Sequence, residues 1–322
     1  MKAIRFTKYG SPDVLQLQEV EKPLPTENRI LVKVHAASAN PLDWHRMRGA
    51  PFLVRLSEGM FKPKNPKLGA DVAGRVEAVG SDVTKFKPGD EVFGAIGVSA
   101  FSEYVCARET AFALKPANIS FEDAAAVPVG ALTALQCLRD AGQIQAGQSV
   151  LINGASGGVG TYAVQIAKHF GAQVTGVCSA RNLEMVRSIG ADHVIDYARE
   201  NYTRKGGRYD IILDNIGNHS PSANRRVLAP DGRYVLAGFA SMFGLIQVIL
   251  LGAVISKLSR QKIGFKLSDA NEADLAFLQN LLATGKIRSV IDRCYPLNET
   301  AEAIRYLETG RARGKVIITV TS

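Results

Sequence analysis

The chain has 322 residues, of which 46% are hydrophobic and 21% are charged, with 30 glycines and 13 prolines. A single hydrophobic core usually stops growing at about 250–300 residues, so this length favours two domains. The composition excludes a disordered chain, a collagen-like repeat and a disulfide scaffold. The four widely spaced cysteines form no CxxC pair, which excludes a zinc ribbon and a thioredoxin-type redox pair.

The positive charge of the chain is concentrated in one segment. The net charge is +9, and residues 220–266 hold seven basic side chains against Asp231 alone, a net +6. Such a segment attracts phosphate groups, whether of a nucleotide, a nucleic acid or a lipid surface. The first residues contain no apolar h-region of a secretory signal, so we expect a cytoplasmic protein.

The first 120 residues favour β-structure. Short apolar runs alternate with turn residues, and they predict strands over 2–6, 29–34, 72–80, 91–94 and 103–107. The pattern changes at Ser120, which has the character of a helix N-cap. A helix is predicted from Phe121 to a stop at Gly142.

Strands and helices alternate through the rest of the chain. The predicted strands are 148–153, 173–178, 193–197, 209–215, 233–239 and 314–320, and the predicted helices are 157–170, 182–190, 273–285 and 298–310. This alternation predicts an α/β fold with a doubly wound parallel sheet.

A glycine-rich loop lies between the first of these strands and its helix. The candidate ligand contacts in it are Gly154, Ser156, Gly157, Gly158 and Val159. Glycines permit a tight turn and a close backbone approach, and the helix N-terminus attracts phosphate. Since the loop joins a strand to a helix, it predicts a dinucleotide site.

Two other interpretations of this loop stay open. Residues 154–158 also match G-x-S-x-G, the nucleophile elbow of a serine hydrolase, and Asp214 and His219 follow in the required order. About 150 mostly β residues before the loop, and no HGG-type oxyanion segment, disfavour this alternative. The other interpretation is a glycine turn that binds nothing.

The residues after the predicted strand 173–178 indicate which dinucleotide binds. NAD sites place a carboxylate there on the ribose 2′-hydroxyl, whereas this chain has Ser179, Arg181 and Asn182. A hydroxyl and a guanidinium suit a 2′-phosphate, so NADP(H) is the predicted cofactor. The alternative is a solvated Arg181 at a helix N-terminus.

Three segments together resemble the medium-chain dehydrogenase/reductase superfamily over essentially the whole chain. They are residues 36–49, residues 69–94 with GRVEAVG and GDEVFG, and the loop over 153–160. The resemblance implies a GroES-like β-rich catalytic domain over 1–120 and 264–322. It also implies a Rossmann-type NADP(H)-binding domain over 121–263 and a homodimer.

The metal-ligand positions of this chain differ from those of the superfamily's zinc enzymes, and this difference indicates which branch of the superfamily the chain resembles. The superfamily's zinc alcohol dehydrogenases hold the metal with a Cys, a His–Glu pair and a second Cys. The matching positions here are Asn40, the pair Ala70 and Asp71, and Val129. One carboxylate is not a tetrahedral zinc site, so no metal is expected. The chain therefore is similar to zinc-independent quinone oxidoreductases, which implies NADPH-dependent hydride transfer to a quinone or to the C=C bond of an α,β-unsaturated carbonyl.

The candidate catalytic residues are Asn40 and His45. Asn40 replaces a metal ligand and is suited to a hydrogen bond with a substrate oxygen or the nicotinamide ribose. His45 stands where quinone reductases often carry a Tyr, and it either donates a proton, orients the acceptor or is structural. Asp43 is expected to brace this segment, and solvent is an alternative source of the proton.

Further cofactor contacts are expected from later positions. The resemblance places Thr133 near the nicotinamide and Tyr197 near the 2′-phosphate ribose, with Lys315 a weaker candidate. Asn215, Gly238, Phe239 and Ala240 follow later strands, whose carboxyl ends bind ligands in such sheets.

An uncharged stretch of 23 residues, Tyr234–Ser256, is the segment least typical of the superfamily. Without its predicted strand it is too short to span a bilayer. It is either a buried or dimer-facing helix that shapes an apolar pocket, or an interfacial segment over 241–262 that contacts a membrane through its basic flank.

The competing function is a non-catalytic NADPH-binding protein on a membrane surface or RNA, and an alcohol dehydrogenase is a lesser alternative. Without an RNA-recognition motif, no nucleic acid is expected.

Overall fold

The structure is a computed structural model that describes residues 1–204, 206–238 and 241–320. Its strands, in chain order, are β1 (Lys2–Arg5), β2 (Gln16–Glu19), β3 (Arg29–Ala39), β4 (Asp71–Val79), β5 (Glu91–Ala95), β6 (Tyr104–Arg108), β7 (Phe112–Leu114), β8 (Ser149–Asn153), β9 (Gln173–Cys178), β10 (His193–Asp196), β11 (Tyr209–Asp214), β12 (Leu228–Leu236), β13 (Lys262–Phe265), β14 (Ile291–Pro296) and β15 (Lys315–Thr319). Its α-helices are α1 (Pro41–Arg48), α2 (Leu53–Glu58), α3 (Phe121–Ala126), α4 (Pro128–Gln136), α5 (Gly160–His169), α6 (Leu183–Ser188), α7 (Pro221–Arg226), α8 (Met242–Leu258), α9 (Glu272–Ala283) and α10 (Thr300–Glu308).

The chain forms two compact units. Unit 1 comprises Met1–Val129 and Ala270–Ser322, and unit 2 comprises Gly130–Asp269. Both limits lie a few residues later in the chain than the domain limits predicted from the sequence. At the first limit, α3 packs against β3 and β4 of unit 1.

Unit 1 is built around a mixed sheet. The strand order is β14-β15-β3-β4-β5-β7, and β6 pairs with β3. The central strand β3 is buried along most of its length, and its partners β4, β6 and β15 are antiparallel to it. This β-rich core is the GroES-like domain that the resemblance implied.

Unit 2 contains the predicted doubly wound sheet. Its order is β10-β9-β8-β11-β12-β13, and every neighbouring pair is parallel. The chain order reverses between β8 and β11. In open α/β sheets, ligands bind at such a switch point, outside the carboxyl ends of the strands.

Two helices differ from the sequence prediction. The helix from Phe121 divides into α3 and α4, because Pro128 has no N–H to donate inside a continuous helix. Its predicted cap is confirmed, since the Ser120 hydroxyl accepts a hydrogen bond of 3.0 Å from the Asp123 N–H. The segment with Asn40 and His45 was not predicted as helical, and it forms α1.

The apolar segment forms helix α8. Only Val248 and Gly252 are buried in it, so within this chain α8 is not a buried helix. Among the described residues, no helix is long and apolar enough to cross a membrane.

Candidate functional site

The glycine loop forms a tight connection between β8 and α5 in unit 2. Gly154 has a φ of +78°, a conformation that side chains of L-residues rarely adopt. A Cβ atom on Gly160 would lie 2.1 Å from the Gly154 carbonyl oxygen, so only glycine fits there. Gly157, Gly158 and the N-cap Val159 lie between them, where the first N–H groups of α5 are suited to a phosphate.

The other predicted cofactor residues follow strands that end at one edge of the sheet. The strand register pairs Asn153 with Val177 and Asp214 with Asn153, which brings the carboxyl ends into line. The residues just beyond these ends are Ser179, Tyr197, Asn215 and Gly238. A Cβ atom on Gly238 would lie 2.3 Å from the Asn215 carbonyl oxygen, so the two loops approach closely.

Two buried oxygen atoms at this edge have no hydrogen-bond partner among the described residues. They are the side-chain Oδ1 atoms of Asn182 and Asn215. The Asn182 Nδ2 donates to the Ser156 hydroxyl at 2.9 Å, and the Asn215 Nδ2 donates to the Asn153 carbonyl at 3.1 Å. A buried acceptor left unpaired costs about 1–3 kcal/mol, so these atoms fit a ligand with hydroxyl or amide donors. A dinucleotide has such donors, and the residues present fit it.

The turn after β9 carries the residues that were predicted to select NADP over NAD. Ser179 is the N-cap of a 3₁₀ turn, Ala180–Asn182, and the exposed Arg181 lies in its middle. No carboxylate occupies the first positions after this strand. A hydroxyl and a guanidinium at these positions are suited to a 2′-phosphate.

Three predicted contacts remain. Thr133 lies on α4, is buried, and donates its hydroxyl hydrogen to the Ser268 oxygen at 3.0 Å. Phe239 and Ala240 lie outside the described residues.

The hydrolase alternative does not agree with this geometry. The Ser156 hydroxyl accepts from Asn182, while the buried Asp214 carboxylate accepts from Asn153, from two backbone N–H groups and from the Tyr234 hydroxyl. The His219 ring packs edge-on against Tyr202, with ring centroids 5.0 Å apart. Asp214 therefore organises the end of the sheet, and the order Ser156, Asp214, His219 is not a catalytic triad.

A second group of buried polar residues lies in unit 1. The Lys315 ammonium donates to the Asn40 Oδ1 at 2.7 Å and lies 3.0 Å from the Asp71 Oδ2. The Asn40 Nδ2 donates to the same Asp71 oxygen at 2.9 Å. Lys315 is 3% exposed, Asn40 4% and Asp71 0%. We call these three residues the Lys–Asp–Asn network.

The Asp71 carboxylate accepts two further hydrogen bonds. Its Oδ2 receives the Ser38 hydroxyl at 2.6 Å, and its Oδ1 receives the Val129 N–H at 2.8 Å. The fold therefore brings together Asn40, Asp71 and Val129, the three positions where related zinc enzymes carry ligands.

These residues do not fit a zinc ion. An amide, a backbone N–H and one carboxylate that already binds an ammonium lack the imidazole and thiolate donors of a zinc site. No group of three or more His, Cys, Asp or Glu residues suited to a metal occurs within residues 1–204, 206–238 and 241–320.

Asp43 braces the start of α1, as expected. Its carboxylate accepts from the Asn40 N–H and from the Gly69 N–H, both at 2.8 Å. The side chain is buried, and burial raises the pKa of Asp43 to about 6. This bond to Gly69 ties α1 to the segment before β4, which carries Asp71.

His45 lies two residues after Asp43 on α1. Its Nδ1 is 2.7 Å from the Ala50 carbonyl oxygen, which only accepts, so Nδ1 carries the hydrogen. In the neutral ring, Nε2 is then a hydrogen-bond acceptor. Burial lowers the pKa of His45, which favours the neutral ring, and the Trp44 ring stacks on it with centroids 3.7 Å apart.

Comparisons with known proteins agree with this architecture. The family model described as alcohol dehydrogenase GroES-like domain matches residues 26–117, and the one described as zinc-binding dehydrogenase matches residues 189–318. The 2-methylene-furan-3-one reductase of Solanum lycopersicum is 38% identical over 99% of this chain and 79% of that protein. The chloroplastic NADPH-dependent alkenal/one oxidoreductase of Arabidopsis thaliana is 35% identical over the same shares of both chains. A quinone oxidoreductase structure from Escherichia coli in complex with NADPH has a TM-score of 0.85 and 28% identity, covering 99% of this chain and 100% of that chain.

The GroES-like unit, the Rossmann-type sheet and these relatives show that the chain belongs to the medium-chain dehydrogenase/reductase superfamily. Within it, the chain belongs to the quinone oxidoreductase-like branch. It is an NAD(P)H-dependent oxidoreductase of the quinone oxidoreductase and alkenal/one reductase group.

Proposed function

We propose that the protein reduces quinones or the C=C bond of α,β-unsaturated carbonyls with NADPH, without zinc. The observation that carries this proposal is the Lys–Asp–Asn network. In it, a buried ammonium contacts Asn40 and Asp71, two of the positions that match the metal ligands of the zinc enzymes. An acceptor whose negative charge is delocalised needs weaker stabilisation than the alkoxide of a simple alcohol, and hydrogen-bond donors supply it.

The choice of NADPH rests on the turn after β9. Ser179 and Arg181 offer a hydroxyl and a cation where a carboxylate would repel a 2′-phosphate. The names of two relatives, the NADPH-dependent alkenal/one oxidoreductase and the quinone oxidoreductase complexed with NADPH, support the same cofactor and both acceptor classes.

The reaction needs a site for the developing oxyanion. Bound NADPH supplies a hydride. In an enone, hydride addition at the β-carbon would shift the C=C pair into a new double bond between the α-carbon and the carbonyl carbon, and the C=O π pair onto oxygen. A proton from water at the α-carbon then completes the saturated product. The protein must therefore stabilise negative charge on one oxygen atom.

Asn40 and Lys315 are suited to that task. One Asn40 Nδ2 hydrogen is bound strongly by Asp71, whereas the other makes a long bond of 3.3 Å to the Ser38 carbonyl. An acceptor oxygen replaces the weaker bond at little cost. Lys315 fixes the amide from its other end and keeps a positive charge beside it.

In this proposal His45 contacts the reduced product, and it does not supply the proton. Its neutral ring holds the hydrogen on Nδ1, which the Ala50 carbonyl binds, so Nε2 accepts hydrogen bonds. A quinol or enol hydroxyl formed on the acceptor is a suitable donor to it. Water is then the proton source.

The assembly and location are part of the same proposal. Strand β13 is an edge of the unit 2 sheet, with β12 as its one neighbour among the described residues. We propose a cytoplasmic homodimer that forms through unit 2. Sedimentation of the purified protein tests the dimer.

The experiment that tests the function uses NADPH carrying deuterium at C4, on both faces in separate preparations, with enones and quinones as acceptors. The proposal predicts deuterium on the β-carbon of the enone product, detected by mass spectrometry and NMR. Deuterium on the carbonyl carbon would instead identify an alcohol dehydrogenase. NADPH binding without turnover of any acceptor would favour a non-catalytic binder.

A variant pair tests the role of Asn40. Asn40→Ala removes an oxyanion donor, and we expect kcat/KM for the acceptor to fall about a hundredfold with an unchanged Kd for NADPH. Asn118→Ala, an exposed position in unit 1, is the matched control. An equal loss in both variants would contradict the assignment.

A further inference from the structure

Helix α8 exposes a continuous apolar face. Its buried residues Val248 and Gly252 lie on one side, where Gly252 packs closely against the Ile263 carbonyl of β13. With 3.6 residues per turn, Phe243, Ile246, Leu250 and Val254 lie together on the opposite side. The large apolar side chains of α8 that are more than two-fifths exposed are Phe243, Ile246, Ile249, Leu250, Leu251, Val254 and Leu258. We call them the α8 face.

The exposure of this face is large for a surface helix. Phe243 is 70% exposed, Leu250 63% and Leu258 82%. Isolated surface apolar residues are normal, but a contiguous patch of seven marks a site of interaction.

Basic residues lie at and just beyond the C-terminal end of α8. Lys257 follows Leu250 by two turns, so it points to the same side, and it is exposed. Arg260 and Lys262 follow directly and are also exposed. The only acidic residue of 220–266 is Asp231, which pairs with Arg260 at 2.5 Å, so the segment keeps its net positive charge.

The geometry points to an anionic lipid bilayer as the partner of the α8 face. A helix of 17 residues is about 25 Å long, which suits a helix lying along the interface with its apolar side among the acyl chains. Lys257, Arg260 and Lys262 then contact the phosphate head groups.

Vesicle flotation with the full chain tests the electrostatic part. We expect binding to vesicles of phosphatidylcholine with about one-third phosphatidylglycerol, and little binding to phosphatidylcholine alone. Each lysine near a surface contributes about fivefold, so Lys257→Gln/Lys262→Gln should weaken binding about 25-fold. Lys8→Gln/Lys87→Gln removes the same charge from exposed positions of unit 1 and should bind like the wild type.

A second variant pair tests the apolar part. Leu250→Gln should weaken vesicle binding at least about tenfold, because one large side chain no longer enters the acyl region. Phe61→Gln, at a 93% exposed position of unit 1, should have no effect. Circular dichroism checks that both variants keep the wild-type fold.

Three results would overturn this inference. They are no binding of the folded protein to anionic vesicles, equal losses in the test and control variants, and a dimer that Leu250→Gln dissociates without any vesicle binding. The last result would assign the α8 face to a second copy. Because binding is measured without an acceptor, and NADPH oxidation is measured with a water-soluble acceptor, failure of one proposal leaves the other result intact.

Discussion

Lys315 and Asp71 form an ion pair that is almost wholly removed from water. Such a pair gains little net stability, since desolvation offsets most of the attraction, but removal of one partner leaves a buried charge without compensation. Here the Asp71 carboxylate also accepts hydrogen bonds from the Ser38 hydroxyl, the Asn40 amide and the Val129 N–H.

Truncation of Lys315 should therefore be costly. We expect Lys315→Met to lower the free energy of unfolding by about 3–5 kcal/mol, because the Asp71 charge stays buried. The double variant Lys315→Met/Asp71→Asn should recover most of this loss. Urea unfolding measures both, with the exposed Lys8→Met as control. If the single and double variants are equally unstable, the two residues are not coupled.

Asp43 gives unit 1 a pH-dependent stability. Its pKa of about 6 in the folded protein exceeds the value of about 4 in an unfolded chain, so the folded state binds the proton more tightly. Its stabilising contribution is complete below pH 4 and is lost as the pH rises through 6. Between pH 5 and pH 7 the loss is about 1 kcal/mol.

The comparison of wild type with Asp43→Asn isolates this contribution. From pH 5 to pH 7, we expect the free energy of unfolding of the wild type to fall by about 1 kcal/mol relative to that of Asp43→Asn. Urea unfolding at both pH values measures it. A difference that does not change with pH would show that Asp43 is ionised throughout this range.

At the scale of elements, the turn from β8 to α5 was predictable and helix α1 was not. The glycine pattern is a local signal, because the backbone conformation of Gly154 and the close packing of Gly160 exclude other residues there. Helix α1 has local signals too, with Pro41 at its first position and Asp43 bonded back to the Asn40 N–H. Its apolar residues are few, so hydrophobic periodicity did not reveal it.

The turn after β9 makes a prediction about cofactor choice. Arg181→Ala should raise the Kd for NADPH about tenfold and leave the Kd for NADH within about twofold, because the lost contact is with the 2′-phosphate. Fluorescence titration of both cofactors measures this. Arg187→Ala, on α6 and paired with Glu184, is the control. Equal weakening for both cofactors would contradict the predicted contact.

At the scale of the whole molecule, the fold class followed from the sequence, but the Lys–Asp–Asn network did not. Alternation of strands and helices is a local pattern, and it predicted the parallel sheet of unit 2. The partners of Lys315 are 244 and 275 residues away in the chain, and no local pattern relates residues so far apart. The network depends on β15 pairing with β3, beside β4, which is a tertiary fact.

The proposed function depends on hydride transfer from NADPH without a metal. The most direct measurement is NADPH oxidation by protein dialysed against EDTA and shown by elemental analysis to be free of zinc, with a quinone and an enone as acceptors. We predict full activity in the chelated protein, a preference for NADPH over NADH, and no gain when zinc is added back. Activity that disappears with the metal and returns with zinc would contradict the account.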